Sequence, residues 1–218
     1  MKKFPLLKAL VAMTLVFLVA VTQAFALDWT SIAKKAQRSL VSLQVSPNGK
    51  IYCSGIVIDD RRDYVLTAAH CTNIILQDGT TLSMYVDSKV AWVIWSNKEW
   101  DLAVIKVEGL NKRAIEPGKM LKVGEEVAAM GYGYGWAGTG MFRTGQVSGY
   151  IKLDELPGVF MVINSGLIPG MSGGPMVDTE GRLVAINQLV DQNGTVGLGR
   201  SIEDIYRMTK DFWERKVK

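Results

Sequence analysis

The chain has 218 residues, of which 48% are hydrophobic and 21% charged, and a formal net charge of +4. That surplus does not argue for a nucleic-acid partner: Lys2, Lys3 and Lys8 supply three of the basic residues, and without them 22 Lys and Arg face 21 Asp and Glu, with no clustered basic face. Two cysteines are too few for a structural zinc site, and nothing in the composition calls for a cofactor or metal.

The first 26 residues read as a targeting segment. A basic start is followed by the apolar run Ala9 to Val21 and the small-x-small ending Ala24-Phe25-Ala26, the pattern of a secretory signal cleaved after Ala26. An uncleaved membrane anchor is the alternative reading of that run. Cleavage leaves 192 residues for an exported, periplasmic or secreted protein with no stable membrane span, enough for one large β domain or two small lobes. In an oxidising compartment Cys53 and Cys71 are expected to form a disulfide, a buried free pair being the alternative.

Ile32, Ala33, Ala36 and Leu40 recur at helical spacing and predict a short amphipathic helix over 28–39. From there to about Gly199 the chain alternates short β runs with turn residues, which predicts an all-β sandwich or barrel. The runs are 39–45, 51–58, 64–68, 81–86, 89–95 and 102–107, then 127–130, 146–151, 159–164, 175–178, 183–188 and 196–200. Six lie on either side of the Glu108–Glu116 connector, so two antiparallel six-stranded barrels fit the count, as does one larger sandwich. The expected organisation is a signal over 1–26, helix and first lobe over 27–115, and second lobe with a C-terminal helix over 116–218. In that helix Ser201-Ile202-Glu203-Asp204 is a capping-box pattern, and Ile202, Ile205, Met208, Thr209 and Phe212 mark the apolar face.

Three segments carry chemistry. Gly170-Met171-Ser172-Gly173-Gly174-Pro175 sets a serine on a glycine-flanked turn, where the N–H groups of Gly170 and Ser172 can meet an oxyanion formed by attack of the hydroxyl. His70, the one histidine in the chain, lies in Thr67-Ala68-Ala69-His70-Cys71. Asp101 heads the apolar run Leu102-Ala103-Val104-Ile105, at the edge of a core, where a carboxylate can accept the imidazole Nδ1–H. A hairpin from Cys53 through the polar turn Asp59–Asp63 to Cys71 would bring the sulfurs together and fix the backbone beside His70. Two decoys fall away. Gly133 to Gly138 matches a dinucleotide fingerprint, but no helix follows it; Asn193-Gly194-Thr195 matches a glycosylation sequon but reads as a hairpin turn.

Together these segments, in the order His, Asp, Ser, resemble the trypsin-like serine peptidases, and most nearly the Deg/HtrA branch. Ile163-Asn164 leading to Ile168-Pro169-Gly170, the run Asp178 to Asn187, and Gly197-Leu198-Gly199-Arg200-Ser201-Ile202 carry the closer likeness. The resemblance implies a double β-barrel with His70, Asp101 and Ser172 in the cleft, a disulfide beside the histidine, and protein or peptide substrates. A proteolytically silent or latent relative, acting as a protein-binding or chaperone module, is the alternative. No PDZ domain is expected. Digestive members carry an aspartate before the serine; Met171 stands there, so the oxyanion hole is expected to form without an N-terminal ion pair. Gly166, six residues before the serine, and Leu189 and Val190 on the matching wall imply cleavage after small or medium apolar residues.

Overall fold

A computed structural model describes residues 27–72, 83–135, 138, 140–191 and 193–213. The signal segment, residues 81–82 of the fourth β run, Trp136 and Ala137 of the glycine-aromatic loop and the basic tail Arg215 to Lys218 lie outside them. Residues Ser31–Lys218 form one compact unit. No helix among the described residues is long and apolar enough to cross a membrane.

Twelve strands build two closed antiparallel barrels rather than one sandwich. The first takes β1 (Leu40–Gln44), β2 (Ile51–Asp59), β3 (Tyr64–Thr67), β4 (Met84–Val86), β5 (Lys89–Asn97) and β6 (Leu102–Val107), in the order β1-β2-β3-β6-β5-β4. Pairing of Leu43 with Val86 closes it. The second takes β7 (Glu126–Gly131), β8 (Met141–Leu153), β9 (Leu156–Ile163), β10 (Pro175–Val177), β11 (Leu183–Val190) and β12 (Gly197–Ser201), in the order β10-β11-β12-β9-β8-β7, closed by Met176 against Ala129. Closure removes the open edges that a twelve-strand sandwich would leave to be covered.

β-branched and aliphatic side chains fill each interior: Val41, Leu43, Val57, Val65 and Ile105 in the first, Val127, Met161, Ile163, Met176 and Val184 in the second. β1 and β2 also pack on β7 of the other barrel, so both faces of β1 are covered and every residue of LVSLQ is buried. The connector is tied to both barrels: Ile115 N–H donates to Val57 O at 2.8 Å, and Glu116 O accepts the Leu183 N–H at 2.8 Å.

The same turn lock recurs in each barrel. In the β2–β3 hairpin the buried Asp59 carboxylate accepts from the N–H groups of Arg61 and Arg62 and from Arg62 Nε. In the β10–β11 hairpin Asp178 accepts from the N–H groups of Glu180 and Arg182 and from Arg182 Nε.

Helix α1 (Trp29–Gln37) buries Ile32 and Ala36. Helix α2 (Ile202–Thr209) starts at Ser201, whose hydroxyl accepts the Asp204 N–H as the capping pattern requires. Its inner face includes a buried carboxylate, Asp204, which the apolar periodicity did not indicate. The hairpin reading of Cys71 needs correction. β3 ends at Thr67, and Cys71 sits in the single 3-10 turn Ala69–Cys71 beyond it. The turn still brings Cys71 to a Cα separation of 6.0 Å from Cys53, and the two form a disulfide.

Candidate active site

His70 occupies that 3-10 turn, fixed from behind by the disulfide and from the front by Asp101. Its N–H donates to Asp101 Oδ1 at 2.9 Å, and its Nδ1 lies 2.8 Å from Asp101 Oδ2. One carboxylate thus grips both the backbone and the ring. An acceptor-only carboxylate at Nδ1 selects the tautomer with the proton on that atom, leaving Nε2 as the acceptor nitrogen of the ring.

Asp101 precedes β6 with φ +50°, a left-handed conformation uncommon for a residue with a side chain. Three elements hold it there. Its N–H reaches Lys98 O at 3.3 Å, its carboxylate holds His70, and its carbonyl accepts from Gln188 Nε2 on β11. Gln188 Nε2 donates to Trp100 O as well, at 3.1 Å.

Ser172 lies half-buried on the turn between Met171 and β10. Its carbonyl accepts the Ser54 N–H at 2.8 Å, and the oxidised Cys71 Sγ touches the same oxygen at 3.8 Å, which brings this turn beside the histidine's. Among the described residues the Ser172 hydroxyl makes no hydrogen bond. Gly170 has φ +98°, and a Cβ there would lie 2.3 Å from Tyr132 O, so the position admits glycine alone. The peptides on either side of Gly170 are pinned. Pro169 O accepts the Tyr134 N–H at 2.7 Å, and Gly170 O accepts the Ser54 hydroxyl at 2.8 Å. Neither the Gly170 nor the Ser172 N–H donates to another described group.

Ser54, which sequence reasoning did not single out, is the junction of this arrangement. It is fully buried on β2; its hydroxyl donates to Gly170 O and accepts the Tyr132 N–H at 2.8 Å, and its carbonyl accepts the Thr67 hydroxyl at 2.7 Å. Asn187 does similar work inside the second barrel, donating to Met130 O and Met171 O. Met171 is completely buried in the apolar core of that barrel, where a charge would have no partner.

The residues expected at the substrate wall are distributed unevenly. A Cβ on Gly166 would lie 1.7 Å from Gly194 O, so the 193–195 turn closes directly on this position. The Asp191 carboxylate braces that turn by accepting from the N–H groups of Val196, Thr195 and Asn193 and from the Thr195 hydroxyl, and these bonds hold its carboxyl below the usual range. Leu189 is half-buried and Val190 exposed. Neighbouring strand residues point to opposite faces, so the two do not line one pocket together. Cys53, His70 and Cys71 bring ligand-type atoms within 4.8 Å of one another, but the sulfurs are bonded to each other and offer no thiolate.

Residues 53–186 match the model of the trypsin-like peptidase domain. The chain belongs to that family. Among curated members of the trypsin-like peptidases it is similar to the serine protease Do-like HtrB of Bacillus subtilis, 28% identical over 163 residues, covering 68% of this chain and 35% of that protein. It is likewise similar to the periplasmic pH-dependent serine endoprotease DegQ of Escherichia coli, 29% identical over 162 residues, 68% of this chain and 34% of that one. The chain thus spans about a third of the length of these relatives. Among solved trypsin-like folds, the Rv3671c protease of M. tuberculosis in its active form superposes with a TM-score of 0.70 at 19% identity, over 86% of either chain. The HtrA-type protease AlgW with tripeptide gives 0.69 at 21% identity, over 86% of this chain and 64% of that one.

Proposed function

We propose that the protein is an exported serine endopeptidase working through His70, Asp101 and Ser172. The observation that carries the reading is the double grip of Asp101 on His70, beside a serine turn whose two flanking N–H groups are uncommitted. Ser172 Oγ attacks the peptide carbonyl carbon and its proton passes to His70 Nε2. The N–H groups of Gly170 and Ser172 receive the oxyanion, and Asp101 stays ionised, stabilising the imidazolium. His70 then protonates the departing amine, leaving an acyl ester on Ser172. Water attacks that ester with His70 as base, which frees the acid and the serine. Backbone donors and one imidazole suffice for each step.

Family membership supports the chemistry, and the names of the relatives, serine protease and periplasmic endoprotease, support export and protein substrates. Closure of the 193–195 turn on Gly166 supports a shallow specificity pocket for small or medium apolar residues. A fluorophosphonate probe tests the reading: it should label the wild type and neither Ser172→Ala nor His70→Ala. Absence of labelling in all three would overturn it. A latent enzyme is the second reading, favoured by the missing hydrogen bond from the Ser172 hydroxyl; labelling that begins only when a peptide is added would select it.

A further inference from the structure

Arg200, on β12, has a side chain with no solvent exposure. Its guanidinium lies 4.0 Å from the centroid of the Phe160 ring and 5.4 Å from that of Trp100. Nη1 donates to Pro157 O and lies 3.9 Å from Asp204 Oδ2; Nε donates to Gln188 Oε1 at 3.2 Å; and Nη2 has no partner among the described residues. Asp204 is shared, taking the Val159 N–H at 2.7 Å and Arg207 Nη2 at 2.5 Å. Burial pulls the guanidinium below its usual pKa, while Asp204 and Asp101 oppose the shift. A buried cation with a 3.9 Å counter-ion and an idle nitrogen is poor value for stability, since an apolar side chain of similar volume would fill the space at less cost. Its role is more readily found in what it orients.

Arginine has donors and no acceptor. A guanidinium at one end of the Gln188 amide therefore admits only Oε1, and turns the NH2 toward the opposite end. There the carbonyls of Trp100 and Asp101 await, both accepting from that one nitrogen. Arg200 at Oε1 and the two carbonyls at Nε2 thus specify one and the same amide orientation, and without Arg200 the Oε1 end loses its charged donor and the side chain its tie to β12. The turn it holds is the one in which Asp101 adopts φ +50°.

We propose that Gln188 and Arg200 are positioning residues of the active site. Arg200 orients the Gln188 amide, and the amide holds the Trp100–Asp101 turn of the first barrel in the left-handed geometry that aims Asp101 at His70. The inference rests on the endopeptidase reading and concerns two residues whose side chains make no hydrogen bond to His70.

The experiment compares wild type, Gln188→Met, Arg200→Met, Arg200→Lys and the double methionine variant of the full chain. Three quantities are read: kcat per fluorophosphonate-titrated site, KM, and the far-downfield Nδ1–H proton resonance of His70, unambiguous because the chain has one histidine. A small misplacement of a reacting group costs on the order of 100-fold, so either methionine variant should lose roughly 10- to 100-fold in kcat with KM within about threefold. The resonance should shift or vanish. The double variant should be no worse than the poorer single one, because both interrupt one strut. Arg200→Lys keeps a donor facing Oε1 and should recover part of the loss. Should Arg200→Met fail to fold, Gln188→Met decides. Full kcat per site and an unmoved resonance in Gln188→Met, with the wild type labelled, would overturn the inference. A wild type that is not labelled sinks the endopeptidase reading instead, and the resonance alone then tests the strut.

Discussion

Replacing Ser54 by alanine separates the stability of the oxyanion turn from its chemistry. The hydroxyl makes two buried hydrogen bonds of 2.8 Å, one donated to Gly170 O and one accepted from Tyr132 N–H. Truncation strands a donor and an acceptor that water cannot reach, at about 1–3 kcal/mol each, so the fold should lose about 2–6 kcal/mol. The Ser54 N–H to Ser172 O bond survives, being main chain on both sides. Gly170 keeps its anchor at Pro169 O but loses the one on its own carbonyl, which frees it to turn its N–H out of the cleft. Loss of one oxyanion donor typically costs about 100- to 1000-fold in kcat, and because the donor acts on the developing charge, KM should move little. Urea melts give the first quantity, and kcat per fluorophosphonate-titrated site gives the second. A variant that loses the stability yet keeps its kcat would refute the reasoning, since Ser54 would then brace the barrels without governing the oxyanion turn.

Three further outcomes are expected. Met171→Asp puts a carboxylate into an apolar core without a counter-ion, so it should destabilise the fold strongly at neutral pH and less in acid, as unfolding at the two pH values would reveal. Burial alone would raise the Asp59 carboxyl, but the Arg62 backbone and side chain and the Arg61 N–H hold it below its ordinary 3.8; the depressed value stabilises the fold above that pH and is lost as pH falls below it. Asp59→Asn should therefore be about 1–3 kcal/mol less stable than wild type at neutral pH and draw level with it in acid; a gap that persists in acid would contradict the linkage. Reducing the Cys53–Cys71 disulfide, which closes a separation of 18 residues, should cost about 3 kcal/mol in the chain-entropy model, measurable as a lower urea midpoint with and without a phosphine reductant.

The fold was legible because short β runs alternate with turn residues along most of the chain. Leu102–Val107 was read with the ends it has, and most other strands lie within one to three residues of their predicted bounds. β8 was the exception, running from Met141 rather than Gln146. Arg143 and Thr144 are exposed, and glycines at 145 and 149 blank the alternation, so pairing with β7 and not hydrophobicity defines that stretch. Cys71 was misplaced because a strand and a single 3-10 turn cannot be told apart over three residues. His70, Asp101 and Ser172 were legible because each stands in a local motif. Ser54, Gln188 and Arg200 were not, because their roles exist only across chain separations such as the 116 residues from Ser54 to Gly170. One hint was available: Arg200 interrupts an otherwise uncharged strand, Gly197–Ser201, whose five residues are all buried.

The paired turn locks have a consequence for the order of events in the life of the chain. Asp59 and Asp178 each tie a hairpin using groups close by in sequence, so either half can begin folding without the other. The turn that carries Ser172 has no such autonomy, because Ser54 of one half grips Gly170 and Ser172 of the other. On the proposed endopeptidase reading, a half-emerged polypeptide therefore lacks a complete active site, which assembles only when both halves have met.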